Sequence, residues 1–241
     1  MIETTQGIVL HYTPFSETSV IVRIYTLQHG MQSYMIKGIR KPKARYSMNL
    51  LQPLSLIEFI SHNKENRNVQ HITELKADVI YKSIPYDISK TAIAFFIAEL
   101  FSKCSRDEEA NDELFHFLKD HLVFLDCTDQ PVALFHHWFM IHLTKYLGFF
   151  PAGKKGNECI YFDLREGIYQ KDFPPYIEFV SGRTAELISL LCEATGSTFH
   201  LIKTTTDERK DLLDALLLYY KLHALHGGKI NSYQVLTEVL S

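Results

Sequence analysis

The spacing of hydrophobic residues changes about one third of the way along the chain, and this change limits the fold more than any other feature of the sequence. Before it, short runs of β-branched and aromatic residues alternate with turn residues, a pattern typical of β-strands. After Pro85, apolar residues recur at the spacing of an α-helix, as they do from Ile88 to Cys104. We therefore predict a strand region at residues 1–80 and a helical region at residues 81–241.

Five strands are predicted in the first region. They lie near residues 7–12, 19–25, 31–39, 54–61 and 69–75. Five short strands with no helix between them are typical of a small antiparallel barrel, and the OB-fold is the commonest barrel with five strands. The domain predicted at residues 1–80 is therefore an OB-fold.

The second region, residues 81–241, is predicted to be an all-helical domain. Its five helices lie near residues 88–104, 112–125, 132–149, 181–195 and 207–226, with Ser181 as a cap and Gly227–Gly228 as the last stop signal. An insert at about residues 152–176 is rich in turns and contains a small β-hairpin. The predicted fold class is α+β and multidomain: an OB-fold barrel followed by a helical domain with a β-hairpin insert.

Composition excludes several classes of protein. With 46% hydrophobic and 22% charged residues among 241, the chain is neither disordered nor collagen-like. The four cysteines form no C-x-x-C pair, so the sequence contains neither a zinc ribbon nor a thioredoxin-like site. The N-terminus lacks an export signal, and no apolar run approaches the roughly 18 residues of a membrane helix. A cytoplasmic protein with reduced thiols and no membrane contact is expected.

Positive charge is concentrated in the strand region. Residues 1–80 contain nine Lys or Arg and six Asp or Glu, whereas residues 81–241 contain 16 and 22, so the net charges are +3 and −6. The densest cluster, residues 37–45, has five cations and no acid: Lys37, Arg40, Lys41, Lys43 and Arg45. It directly follows the third predicted strand, so we expect a loop at the rim of the barrel. Lys and Arg in such a loop suit contacts to the phosphates of a nucleic-acid backbone.

Three further residues are candidates for the same DNA-binding surface. Arg23 on the second strand would extend the basic track across the sheet. Tyr34 and Tyr46 flank the cluster, where aromatic rings would stack on unpaired bases. The alternative is a solvated surface loop with both tyrosines buried.

The sequence contains no recognised catalytic motif. Gly227-Gly228-Lys229 resembles the end of a Walker A motif, but Ile230 stands where the Mg²⁺-binding hydroxyl is needed and His223 where the first glycine is needed. There is no G-x-G-x-x-G, G-x-S-x-G or H-E-x-x-H. Five helix histidines are either metal ligands or ordinary partly exposed residues: His136, His137, His142, His223 and His226. We predict no catalytic residue, no metal and no cofactor.

The predicted helices have broad apolar faces with two alternative uses. One is a groove, rimmed by cations, that holds a short acidic peptide ending in a hydrophobic residue. The other is an ordinary helical core. The apolar residues are Phe95, Phe96, Leu100, Phe115, Leu118, Phe135, Phe139 and Leu143, and the nearby cations are Lys103, Arg106, Lys119 and Lys145.

Eight segments, spread over nearly the whole chain, follow one another in the order known from one protein family. They are residues 5–10 (TQGIVL), 16–22 (SETSVIV), 26–30 (T-x-x-x-G), 37–43 (KGIRKPK), 50–54 (LLQPL), 147–151 (LGFFP), 220–223 (YKLH) and 229–232 (KINS). In this ordered set the chain resembles the bacterial RecO family of DNA repair proteins. The resemblance implies an N-terminal OB-fold and a helical C-terminal domain.

The same resemblance implies a function and a set of partners. Proteins of this family are non-enzymatic mediators of homologous recombination that bind single- and double-stranded DNA and anneal complementary strands. They contact the acidic C-terminal tail of single-strand-binding protein and, together with RecR, help to load RecA onto gapped DNA. These properties are expectations for the present chain.

One departure from the family pattern concerns zinc. Many members carry two cysteine pairs after the Gly-Phe-x-Pro segment, and these pairs hold a structural zinc ion. Here residues 152–170 contain only Cys159, whereas a structural Zn²⁺ requires four ligands. We therefore predict no zinc, and a small apolar cluster in its place: Tyr161, Phe162, Ile168 and Tyr169.

Three functions are compatible with the sequence, and we favour the first. It is the DNA-binding recombination mediator that the resemblance implies, acting in the RecF pathway in the cytoplasm at the nucleoid. The second is a protein-interaction adaptor with only indirect DNA contact, which equally explains the acidic helical region. The third is an unrecognised hydrolase or transferase, which requires the helix histidines to converge with carboxylates in one pocket.

Overall fold

The computed structural model describes residues 2–63, 67–105, 109–156, 158–225 and 229–240. The chain divides into two compact units. The first consists of Met1–Asp87 and Ala94–Cys127, and the second consists of Ile88–Ile93 and Thr128–Ser241. No helix within the described ranges is long and apolar enough to cross a membrane.

Five strands of the first unit close into a barrel, which confirms the predicted OB-like fold. The strands are β1 (Ile2–Pro14), β2 (Val20–Thr26), β3 (Gly30–Ile36), β4 (Leu56–His62) and β5 (Val69–Ala77). Their order around the barrel is β1-β2-β3-β5-β4, and β4 pairs with β1 to close it. Neighbours are antiparallel except β3 and β5, which pair in parallel from Ser33 to Met35 on β3. This parallel pair is the one departure from the all-antiparallel prediction.

Apolar side chains from alternate strand positions fill the barrel. Val22 and Ile24 are completely buried, because every second residue of a strand points to the same face of the sheet. The core packs directly against the backbone of β1 at Gly7. A Cβ atom there would lie 2.5 Å from Ile24 Cγ2 and 2.9 Å from Phe59 Cε1. An alanine at this position would force one of these side chains to move.

Two helices follow the barrel: α1 (Ile88–Cys104) and α2 (Asp112–Cys127). Within the first unit, the ring of Tyr25 on β2 lies edge-on to Phe101 of α1, with ring centres 5.0 Å apart, and 6.2 Å from the ring of Phe115 on α2. Lys119 of α2 forms a 2.6 Å ion pair with Asp78, just after β5. The first packing unit is therefore larger than the strand region, and the domain boundary near residue 80 remains a prediction.

The described part of the second unit contains four further helices and a small sheet. In chain order these are α3 (Phe135–Leu147), β6 (Tyr161–Asp163), β7 (Ile168–Gln170), β8 (Phe179–Val180), α4 (Gly182–Glu193), α5 (Thr206–His223) and α6 (Ser232–Leu240). Gly148 ends α3 in the left-handed conformation, at a φ of 84°. Thr205 and Glu208 form a capping box at the start of α5. The ring of Trp138 on α3 stacks on Phe199, with ring centres 5.0 Å apart, and both residues are buried.

The secondary structure of the second unit differs from the prediction in several places. The prediction misses α6, and it places a hairpin where β8 adds a third strand by pairing with β6. Ser181 precedes α4, but its side chain makes no capping hydrogen bond. The described part of α5 ends at His223, whereas the predicted end, with Gly227–Gly228, lies outside the described residues.

Candidate nucleic-acid interface

The basic loop, residues 37–45, leaves the barrel at the end of β3 and is shaped by two turns. Gly38 has a positive φ of 74°, and the backbone N–H of Lys41 donates to Gly38 O at 3.2 Å. The N–H of Ala44 donates in turn to Lys41 O at 3.1 Å. Ile39 is only 3% exposed and belongs to the barrel core. This residue anchors the loop, while the charged side chains on either side of it stay exposed.

Four side chains of the basic loop are exposed and have no acidic partner among the described residues. They are Lys37, Arg40, Lys41 and Lys43. The backbone N–H of Arg40 donates to Thr18 O at 3.1 Å, and Arg40 Nη1 donates to Ser16 O at 2.9 Å. These bonds attach the loop to the turn between β1 and β2 and leave other guanidinium donors for a phosphate. The four side chains therefore present positive charge that no carboxylate of the described chain neutralises.

Arg45, the fifth cation of the basic loop, is partly neutralised. Its Nη2 atom lies 3.3 Å from Glu74 Oε1 on β5, and its guanidinium carbon lies 5.2 Å from the ring centre of Tyr46. Tyr46 donates its hydroxyl to Thr73 O at 3.0 Å. Arg45 thus covers one face of the Tyr46 ring, and both residues are tied to β5.

Arg23 lies on β2, half-exposed, and donates from Nη1 to Ser33 Oγ on β3 at 3.3 Å. The strand register places His11 of β1 on its other side. Burial, together with the Arg23 charge, lowers the pKa of His11, so this imidazole is neutral at pH 7. Arg23 pairs with Ser33, which lies four residues before Lys37, so it is separated from the start of the basic loop by the last residues of β3. Arg23 is therefore not part of the loop cluster, and its place in the DNA-binding surface remains a prediction.

Tyr34 does not belong to the surface, and the prediction that it stacks on DNA bases is wrong. Its side chain is completely buried and lies edge-on to Phe59, with ring centres 4.9 Å apart. The hydroxyl donates to Gln32 Oε1 at 3.0 Å, and burial raises its pKa. Tyr34 shares the inward face of β3 with Ile36, which is also buried.

A cavity of about 340 Å³ lies beside the basic loop, where β3 and β5 separate. The parallel pairing of these strands ends at Met35 and His71. Beyond that point Lys37 and Arg45 line the cavity together with residues of β5 such as Ile72. Two cations around a concave surface suit an anionic group such as a phosphate.

Most of the apolar helix residues lie in cores, so they do not line the predicted peptide groove; Phe95 is the exception, at 46% exposure. Seven of the eight are at most 1% exposed: Phe96, Leu100, Phe115, Leu118, Phe135, Phe139 and Leu143. Of the predicted rim cations, Lys103 pairs with Glu99 at 2.7 Å and Lys119 pairs with Asp78. Lys145 Nζ lies 4.7 Å from the ring centre of Phe150, and Arg106 lies outside the described residues.

Three of the described helix histidines contact backbone carbonyls. The ring nitrogens of His137, His142 and His223 lie 2.9, 3.1 and 2.9 Å from the carbonyl oxygens of Arg209, Leu191 and Leu164. Burial lowers the pKa of His137 to about 4. Burial also lowers the pKa of His136 well below its ordinary value, and His226 lies outside the described residues. His136 and His137 line a cavity of about 280 Å³ together with Glu238, whereas His142 and His223 are not among its lining residues. The described histidines therefore do not all meet in one pocket, as a site built from the whole set would require.

The insert is held together by aromatic packing, in part as predicted. Phe162 is completely buried, and its ring centre lies 4.8 Å from that of Tyr169, which is also buried. Tyr161 packs edge-on against Phe179 at 5.6 Å. Ile168 is 40% exposed, so its predicted place in the cluster is wrong.

Zinc does not fit the described residues of this chain. Cys159 is half-buried, and no group of three or more His, Cys, Asp or Glu within the described ranges is placed to hold a metal ion. We therefore expect elemental analysis of the purified protein to find far less than one zinc ion per chain. Treatment with a chelator should leave the thermal midpoint unchanged, because a structural zinc site contributes folding free energy that a chelator removes. Stoichiometric zinc would contradict this expectation.

The turn between β1 and β2 is a surface feature that sequence reasoning missed. The pattern there, Thr13-Pro14-Phe15-Ser16-Glu17, indicates only a separator between strands. In the structure Arg40 binds this turn through two hydrogen bonds, so the turn and the basic loop form one surface. The signal that points to it is an aromatic residue, Phe15, in a turn where polar residues are usual.

The fold and this surface define a class of protein: an OB-like barrel that carries an exposed basic loop, followed by a helical region. Two family models match the chain. The model described as "Recombination protein O N terminal" matches residues 1–79, and the model described as "Recombination protein O C terminal" matches residues 85–232. The chain belongs to the RecO family of DNA repair proteins.

Individual relatives are similar to the chain over its whole length. A protein named DNA repair protein RecO from Christiangramia forsetii is 33% identical over 241 residues, which cover 99% of both chains. The protein of the same name from Phocaeicola vulgatus is 32% identical and covers 100% of both chains. That from Flavobacterium johnsoniae is 30% identical over 240 residues, or 98% of both. The family resemblance predicted from the sequence is confirmed.

Proposed function

We propose that this protein is a non-enzymatic, DNA-binding mediator of recombinational repair. It binds single- and double-stranded DNA, anneals complementary strands and, together with RecR, helps to load RecA onto gapped DNA. The observation that carries the proposal is the set of four exposed, unneutralised cations on the barrel: Lys37, Arg40, Lys41 and Lys43. Membership of the RecO family supports it.

The proposed mechanism is electrostatic. Each cation of the basic loop neutralises a backbone phosphate and releases a condensed counterion, so affinity falls as salt concentration rises. Contacts to phosphates carry no sequence information, and binding is therefore independent of base sequence. Annealing requires two polyanions to approach, and a protein that neutralises both strands lowers their mutual repulsion. No covalent step is needed, which is why the proposal is non-enzymatic.

The family resemblance supports two protein partners, RecR and the acidic C-terminal tail of single-strand-binding protein. RecA is reached indirectly, through the DNA that the complex prepares. The acidic tail requires a positively charged or apolar site. The core residues Phe96 and Phe139 do not supply that site, since both are completely buried.

One observation favours a second function, that of a protein-interaction adaptor with only indirect DNA contact. Residues 81–241 carry a net charge of −6, which repels DNA. An adaptor would bind its protein partners normally but would neither bind nor anneal DNA on its own. The isolated chain therefore distinguishes the two functions.

Strand annealing by the isolated chain tests the proposal. We expect the wild-type protein to accelerate the pairing of two complementary labelled oligonucleotides without any partner protein. The double variant K41E/K43E should lose most of this acceleration for every sequence, because two attractive charges become repulsive. A double variant with the same charge change in the second unit, K203E/K221E, should retain it; both lysines are exposed. A wild-type chain that neither binds nor anneals DNA at low salt would support the adaptor.

A further inference from the structure

Phe15 is an exposed aromatic side chain on a turn that hydrogen bonds close. It is 59% exposed, although it follows the last residue of β1. Its backbone N–H donates to Ser19 O at 3.0 Å, and Ser19 N–H donates to Ser16 Oγ at 3.2 Å. The turn is thus closed by hydrogen bonds at both ends. The ring is presented to solvent from a fixed backbone position, so little conformational freedom remains to be lost when the ring binds a partner.

Phe15 lies at the same end of the sheet as the basic loop. Pro14, Val20 and Ile36 are aligned across β1, β2 and β3 by the strand register. Phe15 and Lys37 directly follow Pro14 and Ile36, the last residues of β1 and β3, so both lie at this end of the sheet, and both are exposed. The hydrogen bonds of Arg40 to Ser16 and Thr18 hold the basic loop against the same turn.

We propose that Phe15 stacks on an unpaired base of DNA whose phosphates are bound by the basic loop. This inference rests on the proposed function and adds to it a contact that only single strands can make. The two tyrosines beside the loop are less suited to this contact than Phe15. Tyr34 is buried, and Arg45 covers one face of the Tyr46 ring. A base in a duplex is already stacked and paired, whereas an unpaired base exposes the face that a phenyl ring needs. Charge complementarity between the loop and a phosphate backbone brings that base to the ring.

The test compares the affinities of F15A and wild type for three labelled ligands by fluorescence anisotropy at fixed salt. The ligands are a single-stranded oligonucleotide, a duplex of the same sequence, and an abasic single strand of the same length. F15Y keeps the aromatic ring, and F15L keeps apolar volume without aromatic stacking. F173A serves as the matched control, because Phe173 is 68% exposed and lies in the second unit.

We expect F15A to bind the single strand about 5- to 150-fold more weakly than wild type, the range for loss of one aromatic stacking contact. Its affinities for the duplex and for the abasic strand should stay within about twofold of wild type, because no stacked base is lost in either complex. F15L should behave like F15A, while F15Y and F173A should behave like wild type. The slope of log affinity against log salt should be the same for all variants, since no charge changes.

Two results would overturn the inference while leaving the proposed function intact. One is an F15A variant that binds the single strand as tightly as wild type. The other is an equal loss for single strand, duplex and abasic strand, which would mean that Phe15 only shapes the turn. Failure of the proposed function looks different, because wild type would then bind none of the three ligands.

Discussion

Replacing four cations of the basic loop by alanine is expected to lower the affinity for duplex DNA by about two orders of magnitude at low salt. The residues are Lys37, Arg40, Lys41 and Lys43, all exposed and none paired with an acid among the described residues. Each lost phosphate contact removes about 0.9 from the slope of log affinity against log salt, so the slope should become shallower by about 3.6. Anisotropy of labelled DNA at several salt concentrations measures both quantities.

A control variant separates the position of the charges from their number. The quadruple variant of Lys171, Lys203, Lys210 and Lys221 to alanine removes the same charge from exposed positions in the second unit. We expect it to keep the wild-type slope. If both quadruple variants lost affinity equally, DNA binding would depend on overall charge and the basic loop would not be its site. Circular dichroism should show wild-type folding for both, since the altered side chains are exposed.

Replacing Asp126 by alanine is expected to destabilise the first unit by about 3 kcal/mol, because charged, partly buried hydrogen bonds are lost. Asp126 is 5% exposed and accepts backbone N–H bonds from three successive residues: Lys82 at 2.8 Å, Ser83 at 2.8 Å and Ile84 at 2.9 Å. The carboxylate therefore fixes the segment that leads from the barrel to α1. Alanine would leave these donors without an acceptor. Urea denaturation measures the difference in the free energy of unfolding.

The same carboxylate should make the free energy of unfolding depend on pH in the acid range. Burial opposes ionisation of Asp126, but the three backbone donors outweigh it and lower its pKa. A carboxyl whose pKa in the folded protein lies below its unfolded value of about 3.9 stabilises the protein at pH values above 3.9. The contribution is lost as pH falls through the folded pKa. D126N keeps an oxygen acceptor, so it should lower the free energy of unfolding less than D126A does. Because asparagine does not titrate, D126N should also lose the part of the pH dependence of stability that comes from Asp126. Identical acid dependence in D126N and wild type would contradict the assignment.

Local patterns predicted the barrel and the basic loop because both depend on neighbouring residues in the sequence. Alternation of β-branched residues, as at Val20, Val22 and Ile24, reports a strand directly. A run of cations after a strand cannot enter a core, so exposure of Lys41 and Lys43 follows from their charge. The same alternation also places Tyr34 on the inward face of β3 with Ile36. The prediction that Tyr34 stacks on DNA bases relied instead on its closeness to the basic loop in the sequence, and it is therefore wrong.

Features that depend on distant residues were not predictable from the sequence. The partial neutralisation of Arg45 requires Glu74, which lies near it because β5 pairs with β3, the strand that precedes the basic loop. Tyr25 packs on Phe101 and Phe115, so the first packing unit includes helical residues that composition assigns to the other region. The attachment of Arg40 to the β1–β2 turn likewise depends on the fold, and it is this contact that brings Phe15 to the basic loop.

The most direct test of the central claim is the salt dependence of single-stranded DNA binding by the wild-type chain without any partner. Binding through the four or five cations of the basic loop predicts a slope of log affinity against log salt of about −3 to −3.5, since each phosphate contact on a single strand contributes about 0.7. A slope in this range means that binding neutralises four or five phosphates, the number that the basic loop supplies. Absence of binding at low salt, or binding that does not change with salt, would contradict the account.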